Sequence, residues 1–451
     1  MALRDAVEVM MSKLVVTDTR QKVKVKYPLL PTLFGIIIAW VCGNNSCVAV
    51  ADYWEDNRDF LKESIPGFPD HNISHDTVNR LLSVIKMSEL QDFLMEFCRR
   101  YLESIGYEGI RCLNLDGQTN RALEYEPKLD VNGNKVMDSR TYDRLYYVTL
   151  YDSTNGLALA QDEVQDKENE NKCCIRLIEM FDLSGCIVTC DALNTQRSVA
   201  EAIIKANADY CLALKDNHKT LRKAVSEAFA NEEVERNIFT APVETAHGRI
   251  EQRSVVAIPA SAVKPRVLGE WAKDARTFFY AVTESNIKKY DHQRAPECRL
   301  FISSLEFDNP NIAKLGYRAI REHWGIENKL HWTLDMDFGQ DRMQMKNCNL
   351  ARNKVLLNKL SLNVLKTAQP SFSKKSEVMS ISRLIKKQKE IQNFRNNLQI
   401  GQDVITAGGI YGKVKSIEGN VISLEIASGV KIRIDKNSIF ADAAATQQQA
   451  K

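Results

Sequence analysis

The chain has 451 residues, which is long enough for two or three domains. Its 61 Lys and Arg nearly balance 58 Asp and Glu, giving a net charge of +3, so bulk charge does not indicate a nucleic-acid binder and any basic surface must be local. Eleven cysteines without a CxxC pair, an odd number, argue against a disulfide framework or a cysteine zinc site and favour reduced cytoplasmic thiols.

Residues 1–107 are predicted to be helical. The most apolar run, LLPTLFGIIIAWVCG at 29–43, contains Pro31 and Gly35 and is shorter than the ~20 residues of a membrane-spanning helix. We therefore expect a buried helix there rather than a signal peptide or a membrane anchor. The stretch at 74–102 begins with a serine suited to capping and then repeats apolar residues at helical spacing.

Strands are predicted from residue 110 onward. IRCLNLDG (110–117) and SGCIVTCDA (184–192) are apolar strands that run into an acid, after which the chain is expected to turn. LYYVTLYDSTNGLALAQDEV (145–164) predicts two strands around an Asn-Gly turn. SVAEAIIKANA (198–208) predicts an amphipathic helix, and DYCLALK (209–215) predicts a strand. Together they predict a mixed α/β sheet.

The sequence pattern changes three times in the C-terminal half. Residues 238–308 predict further strands, which form a β-rich insertion ahead of helices at 310–367. From Gln369 the sequence becomes polar and basic, and KKQKEIQNFRNNL continues as a charged helix. Residues 403–439 consist of short alternating runs broken by glycines, which is typical of a small β-barrel, and residues 441–451 predict a disordered tail.

Two acids suggest chemistry. Asp116 and Asp191 each follow an apolar strand, at the rim of a sheet where catalytic groups of α/β domains gather. One such aspartate is usually a turn former or a helix cap. Two in one sheet, with a third acid on a later helix, are consistent with a site for a hard cation such as Mg²⁺ or Mn²⁺.

The third acid lies in REHWGIENKLHWTLDMDF at 321–338, which predicts a helix. His323, Glu327 and His331 recur there at every fourth residue and would share one face. The spacing alone leaves three interpretations open: a metal-binding stripe, an aromatic core face, or one part of a site completed elsewhere in the chain.

Seven separated blocks of the chain occur in the order seen in DDE-type insertion-sequence transposases, and the resemblance covers roughly residues 10–367. The chain most resembles the ISAs type, a branch that includes the H-repeat-associated proteins of Rhs elements. The blocks are LNLDGQTNR, QDEVQDKENE, IVTCDALNTQ, YCLALKDNHKTL, HGRIEQRSV, LFISSLEF and REHWGIENKLHWTLDMDF.

This resemblance implies an RNase H-like catalytic domain at 108–368, with its β-rich insertion at about 220–308, after a helical domain at 1–107. It implies that Asp116, Asp191 and Glu327 are catalytic and hold two Mg²⁺ or Mn²⁺ ions for phosphoryl transfer. The implied reaction is strand cleavage and strand transfer at the ends of an insertion sequence. The implied partner is DNA, bound by a homo-oligomer without a small-molecule cofactor.

The resemblance also suggests five contacts to the DNA backbone. Lys215 and Asn217 match the family's lysine–asparagine element, and Arg249 and Arg253 match its arginine-rich turn, while Arg321 adjoins the proposed active-site helix. The alternative for the first four is a solvated basic loop.

On this interpretation Glu327 is the only metal ligand on its helix. His323 and His331 are expected to pack or to contact phosphate, because hard cations favour carboxylates. Trp324 and Trp332 are expected to anchor the helix in the core or to border the DNA path.

Three positions depart from the family pattern. Gln118 replaces a usual lysine, Gln340-Asp341 replaces an acidic pair, and His218 stands where glutamine is common. No triad carboxylate is lost, but a second hypothesis stays open: a degenerate transposase relic that binds DNA without cleaving it.

Residues 385–440 resemble the soluble β-domain of YajC, the small accessory subunit of the bacterial Sec translocase. We assign 369–395 as a basic linker and helix and 396–440 as the YajC-like domain. No apolar span of ~20 residues precedes this segment, unlike in YajC proteins. A gene fusion is the simplest explanation, and a Sec-associated interaction protein is the third hypothesis. The predicted location is cytoplasmic.

Overall fold

The computed structural model describes residues 3–21, 23, 25–124, 132, 142–164, 169–246, 249–287, 292–293, 295–343, 345, 347–372, 378–419 and 421–441. The chain divides into two units. Unit 1 comprises Met1–Phe97, Ala122–Thr141 and Leu334–Lys451, and unit 2 comprises Cys98–Arg121 and Tyr142–Thr333.

The N-terminal region is helical, as predicted. Its helices are α1 (Leu3–Met11), α2 (Leu29–Val41), α3 (Cys47–Asp56), α4 (Arg58–Ser64), α5 (His75–Val84) and α6 (Met87–Ile105). The hydroxyls of Ser46 and Ser74 cap α3 and α5 by accepting a hydrogen bond from a backbone N–H in the first turn. The apolar run forms α2 and is buried, and Trp40 Nε1 donates to Asn358 Oδ1 at 2.8 Å. None of the described helices is both long enough and apolar enough to cross a membrane.

The first half of the sheet contains the predicted hairpin and the predicted strand–helix–strand unit. Its elements are β1 (Cys112–Glu124), β2 (Tyr142–Asp152), β3 (Leu157–Glu163), α7 (Glu170–Met180), β4 (Ile187–Cys190), α8 (Arg197–Lys205), β5 (Asp209–Leu214) and α9 (Lys219–Ala230). β1 runs parallel to β4, and β4 runs parallel to β5, whereas β2 and β3 form an antiparallel hairpin.

β1 is longer than the sequence predicts. The prediction of a turn directly after Asp116 is wrong, because the strand continues to Glu124. Its parallel ladder with β4 nevertheless stops at the pair Leu115–Cys190. Asp116 and Asp191 are therefore the next residues on two neighbouring parallel strands, so they lie at the same edge of the sheet.

The predicted β-rich region extends this same sheet. Its elements are β6 (Asn237–Thr240), β7 (Glu244–Ala246), β8 (Arg249–Pro259), α10 (Pro265–Leu268), β9 (Thr277–Ile287), β10 (His292–Gln293) and β11 (Glu297–Ser303). β11 pairs with β5 in the antiparallel sense and continues an 11-stranded mixed sheet of order β3-β2-β1-β4-β5-β11-β9-β8-β6, with β7 and β10 attached at its side.

The block at 321–338 is helical but not one regular helix. The elements after the sheet are α11 (Ile312–Gly325), a π-helical turn (Ile326–His331), α12 (Trp332–Met336) and α13 (Cys348–Phe372). α11 packs on the sheet at Gly316, where any added Cβ would clash with the Phe279 ring. α13 extends past Gln369 into the predicted linker, with Pro370 inside it.

The C-terminal segment forms the predicted charged helix followed by short strands. These are α14 (Ile381–Asn396), β12 (Asp403–Thr406), β13 (Tyr411–Glu418), β14 (Val421–Ala427), β15 (Val430–Asp435) and β16 (Ile439–Ala441). The strands form an antiparallel sheet of order β15-β14-β13-β12-β16. Within unit 1, Asn396 Nδ2 at the end of α14 donates to Asp56 Oδ2 at 2.8 Å. The predicted disordered tail lies, beyond residue 441, outside the described residues.

The cysteines form no disulfide. All eleven lie within the described part of the chain, and each is a free thiol, as the odd count and the scattered positions predict.

Candidate active site

Three acids line one cavity of unit 2. Asp116, Asp191 and Glu327 border a space of about 750 Å³. Burial, together with the negative charges of Glu327 and Asp191, raises the pKa of Asp116 to about 7. The three carboxylates come from β1, the end of β4 and the π-helical turn, and those of Glu327 and Asp191 lie close enough to Asp116 to affect its ionisation.

The Asp191 carboxylate is held by the turn that follows it. Asp191 caps a 3₁₀ turn at Ala192–Asn194, and its Oδ1 accepts hydrogen bonds from Leu193 N at 2.8 Å and Asn194 N at 3.1 Å. This is the ordinary capping role of an aspartate at a strand end. Here the cap also fixes the direction in which the carboxylate faces the cavity.

Asp116 is held by its neighbours on the sheet and on the π-helical turn. Gly117 N donates to Asp116 Oδ1 at 3.0 Å, and His331 Nδ1 lies 3.7 Å from Asp116 Oδ2. Gly117 is closely surrounded, because an added Cβ would lie 2.8 Å from Tyr146 Oη and 3.1 Å from Glu170 and would make both side chains shift. The glycine thus lets a fourth carboxylate approach the first aspartate.

The two histidines beside Glu327 contact different strands. His323 is half-buried, and its Nδ1 lies 2.8 Å from Thr189 Oγ1 on β4. Loss of hydration lowers the pKa of His323 to about 4; the charge of Asp191 opposes this lowering, and the charges of Arg299 and Lys215 add to it. His323 is therefore a neutral packing residue. His331 lies instead beside Asp116 on β1.

The donor chemistry fits a hard divalent cation. In the described part of the chain, no three His, Cys, Asp or Glu side chains form a group that could hold a metal ion as they stand. The oxygen donors of the three acids are nevertheless the ligands that Mg²⁺ and Mn²⁺ prefer. The negative charges of Glu327 and Asp191 contribute to the raised pKa of Asp116, and a bound cation would neutralise them.

The predicted basic residues fall into two groups. Lys215 lines the acidic cavity, whereas Arg249, Arg253 and Arg321 line a neighbouring cavity of about 380 Å³. Arg299 and Trp324 border both cavities, with the guanidinium 4.7 Å from the centre of the Trp324 ring. Arg299 was not predicted, because a single arginine in β11 carries no pattern of its own.

Two of these arginines share one carboxylate. Glu244 Oε2 lies 2.7 Å from Arg253 Nη1 and 3.8 Å from Arg321 Nη2, and Arg253 also pairs with Glu251. The positive charge of this surface is therefore partly neutralised by the protein's own acids.

Asn217 and His218 hold the turn after Asp191. Asn217 Nδ2 donates to Ala192 O at 2.8 Å, and His218 Nε2 lies 2.7 Å from Thr195 O. The amide donor of Asn217, a predicted DNA contact, is thus engaged within the protein. His218, which stands where glutamine is common in the family, contacts the same turn.

Two further departures from the family pattern are buried glutamines, and one of the two predicted anchoring tryptophans is exposed. Gln118 is buried and accepts a hydrogen bond from Tyr147 Oη at 3.2 Å, while buried Gln340 accepts one from Asn358 Nδ2 at 3.3 Å. Trp332 is 56% exposed, so it does not anchor the helix in a core.

Two polar residues at this site escaped the sequence reasoning. Asn194 Nδ2 donates to Glu170 Oε2 at 2.6 Å and lies 3.3 Å from Asp191 Oδ1. Burial and the charge of Asp191 raise the pKa of Glu170. Both residues lie inside blocks shared with the transposases, but nothing in their spacing indicates that they meet.

The chain belongs to the DDE transposase family. The family described as "Transposase DDE domain" matches residues 132–364, more than half of the chain. A domain described as "DDE_Tnp_1-associated" matches residues 14–98, and the YajC family of preprotein translocase subunits matches residues 378–443. The resemblances drawn from the sequence blocks are confirmed at the level of these families.

Relatives in Escherichia coli K12 match most of the chain. The H repeat-associated putative transposase YhhI and the putative protein YbfL are each 28% identical over 356 residues, 78% of this chain and 88% of theirs. The Sec translocon accessory complex subunit YajC of Brucella melitensis is 45% identical over 53 residues, 12% of this chain and 47% of that protein. The piggyBac transposase synaptic complex with hairpin DNA aligns with a TM-score of 0.38, at 11% identity over 86% of this chain and 74% of that one, which is too low to define a common fold.

Proposed function

We propose that this DNA transposase cleaves strands at the ends of its insertion sequence and joins them to target DNA, with Asp116, Asp191 and Glu327 as its catalytic acids. Family membership supports the reaction class. The observation that carries the residue assignment is that the three carboxylates line one cavity, where burial and the charges of Glu327 and Asp191 raise the pKa of Asp116.

The three acids would hold two Mg²⁺ or Mn²⁺ ions. When bound, such ions activate water or a 3′-hydroxyl and stabilise the leaving oxygen of an in-line displacement. The chain's own contribution is to hold the ligands, two on adjacent strands and one on the π-helical turn. The strand order β3-β2-β1-β4-β5 supports an RNase H-like arrangement of the catalytic domain at 108–368.

The DNA backbone would follow the basic residues beside the acidic cavity. Lys215, Arg249 and Arg321 are the contacts we propose first, and Arg253 and Asn217 contribute after giving up their internal partners. We also propose that the protein acts in the cytoplasm as a homo-oligomer assembled on DNA.

The test is nicking of DNA that carries the element's terminal inverted repeats. Asp191→Ala should abolish Mg²⁺-dependent nicking, whereas Asp308→Ala, at an exposed position outside both cavities, should leave it unchanged. Unchanged nicking by the Asp191 variant would exclude the proposal. Specific end binding without cleavage, even in Mn²⁺, would instead indicate a DNA-binding relic.

We propose that the YajC-like segment is a small barrel acquired by fusion with a translocase-subunit gene and is not required for the chemistry. The proposal is supported by the separate family match at 378–443, which contains none of the candidate site residues. Co-purification of Sec translocase subunits with the full chain would contradict this passenger role and favour a contact with the translocase.

A further inference from the structure

Glu170 and Asn194 connect the two aspartates that proposed catalysis requires. Asn194, which is 1% exposed, donates from one nitrogen to Glu170 Oε2 at 2.6 Å and to Asp191 Oδ1 at 3.3 Å. Glu170 in turn packs against Gly117, directly after Asp116. A continuous path of contacts therefore runs from one aspartate-bearing strand to the other.

On the Asp191 side, the hydrogen bonds converge on a single oxygen. Oδ1 accepts from Leu193 N, from Asn194 N and from Asn194 Nδ2. Among the described residues, no hydrogen bond goes to Oδ2. The carboxylate is thus held by one oxygen, and its other oxygen remains for a ligand.

On the Glu170 side, the position of the carboxylate depends on Gly117 and on Asn194. The Glu170 carboxylate lies 3.1 Å from a Cβ position at Gly117, so a larger residue there would displace it. Glu170 opens α7, whereas Asn194 follows β4, so the bond between them joins two elements that are 24 residues apart in the chain. A rigid contact of this kind resists the repulsion between the neighbouring carboxylates.

We propose that Glu170 and Asn194 are positioning residues for cation binding: Glu170 fixes Asn194, and Asn194 fixes Asp191 with one carboxylate oxygen facing the cavity. The inference rests on the proposed function, because it takes Asp191 as a cation ligand. Groups that orient metal ligands by hydrogen bonding typically contribute a factor of roughly 10–100 to metal affinity.

The experiment measures Mn²⁺ affinity of the full chain without DNA, by calorimetry or by electron paramagnetic resonance. Asn194→Ala and Glu170→Ala should each weaken binding by roughly 10- to 100-fold. Because the two residues act in series, the double variant should bind no more weakly than Asn194→Ala alone. Glu170→Gln should bind much more tightly than Glu170→Ala, because an amide oxygen still accepts from Asn194.

The comparison of Glu170→Gln with Glu170→Ala provides a control for misfolding. Asn194 is buried, so thermal unfolding in EDTA should be compared for each variant, whereas Glu170 is half-buried and Glu170→Gln keeps both the length of the side chain and an oxygen acceptor. Wild-type affinity in folded Asn194→Ala, or equal losses in Glu170→Gln and Glu170→Ala, would overturn the inference.

Asp191→Ala separates failure of this inference from failure of the proposed function. If Asp191→Ala loses Mn²⁺ binding while the Asn194 and Glu170 variants keep it, only the positioning role is wrong. If Asp191→Ala itself binds Mn²⁺ as tightly as wild type, then the assignment of the acidic cavity is wrong.

Discussion

Replacing Asp116 with asparagine should stabilise the cation-free protein and abolish its chemistry. Burial and the charges of Glu327 and Asp191 raise the pKa of Asp116 from 3.8 to about 7, so ionised Asp116 is unfavourable in the folded chain. Asparagine has nearly the same shape, and its oxygen can still accept the 3.0 Å hydrogen bond from Gly117 N. Asparagine carries no charge, so the charges of Glu327 and Asp191 do not repel it.

The pH dependence follows from the direction of the pKa change. The folded-state pKa lies above the unfolded value, so the stability contributed by the protonated acid is present below about pH 4 and is lost as the pH rises to about 7. At about 1.4 kcal/mol per pKa unit, the raised pKa lowers the free energy of unfolding of wild type at pH 8 by at most about 4 kcal/mol. This is the upper limit of the gain expected for Asp116→Asn. We expect about 2 kcal/mol, because the buried amide also loses hydration.

The assay is thermal unfolding in EDTA, followed by circular dichroism at pH 4 and pH 8. Asp116→Asn should unfold roughly 4–8 °C above wild type at pH 8, with little gain at pH 4. Mg²⁺ at pH 8 should raise the midpoint of wild type but not of the variant, and Asp308→Asn should behave as wild type throughout. A variant that is no more stable than wild type at pH 8, or a gain independent of pH, would refute the assignment of a strained acidic cavity.

Three further outcomes follow from the same site. Glu327→Ala should abolish nicking of inverted-repeat DNA, whereas His331→Ala should only weaken it, because this histidine lies beside the first aspartate without being a proposed ligand. Glu244→Gln should tighten DNA binding in fluorescence anisotropy, most clearly at low salt, because the carboxylate that competes with phosphate for two arginines is removed. A chain ending at residue 397 should keep its nicking activity per folded molecule, because every candidate site residue precedes that point; loss of nicking by the folded truncated chain would contradict the passenger role.

The elements that sequence predicts well are those specified locally. The hairpin of β2 and β3 follows from alternating residues around an Asn-Gly turn, and helix α5 begins after Ser74, the serine predicted to cap it. The continuation of β1 past Asp116 could not be predicted, because QTNRALE lacks the alternation that marks a strand with one buried face. Partners across the sheet, not the local pattern, keep that segment extended.

The contact between Glu170 and Asn194 shows what the sequence could not predict at the site itself. Both residues are visible in blocks shared with the transposases, yet their meeting depends on how α7 and the turn after β4 fold together. Hydrogen bonds between residues distant in sequence leave no periodic signal. The sequence could therefore suggest the acids and the kind of cation they would bind, but not the residues that orient them.

The π-helical turn at Ile326–His331 explains why the four-residue spacing around Glu327 misleads. Apolar spacing over one turn does not distinguish i→i+4 from i→i+5 hydrogen bonding, so sequence predicts a regular helix with both histidines on one face. A wider turn rotates the residues that follow it relative to those that precede it. His323 reaches Thr189 on β4, and His331 reaches Asp116 on β1. Such turns are less favourable than a regular helix and recur at functional sites. Here the turn carries Glu327, which borders the same cavity as Asp116 and Asp191.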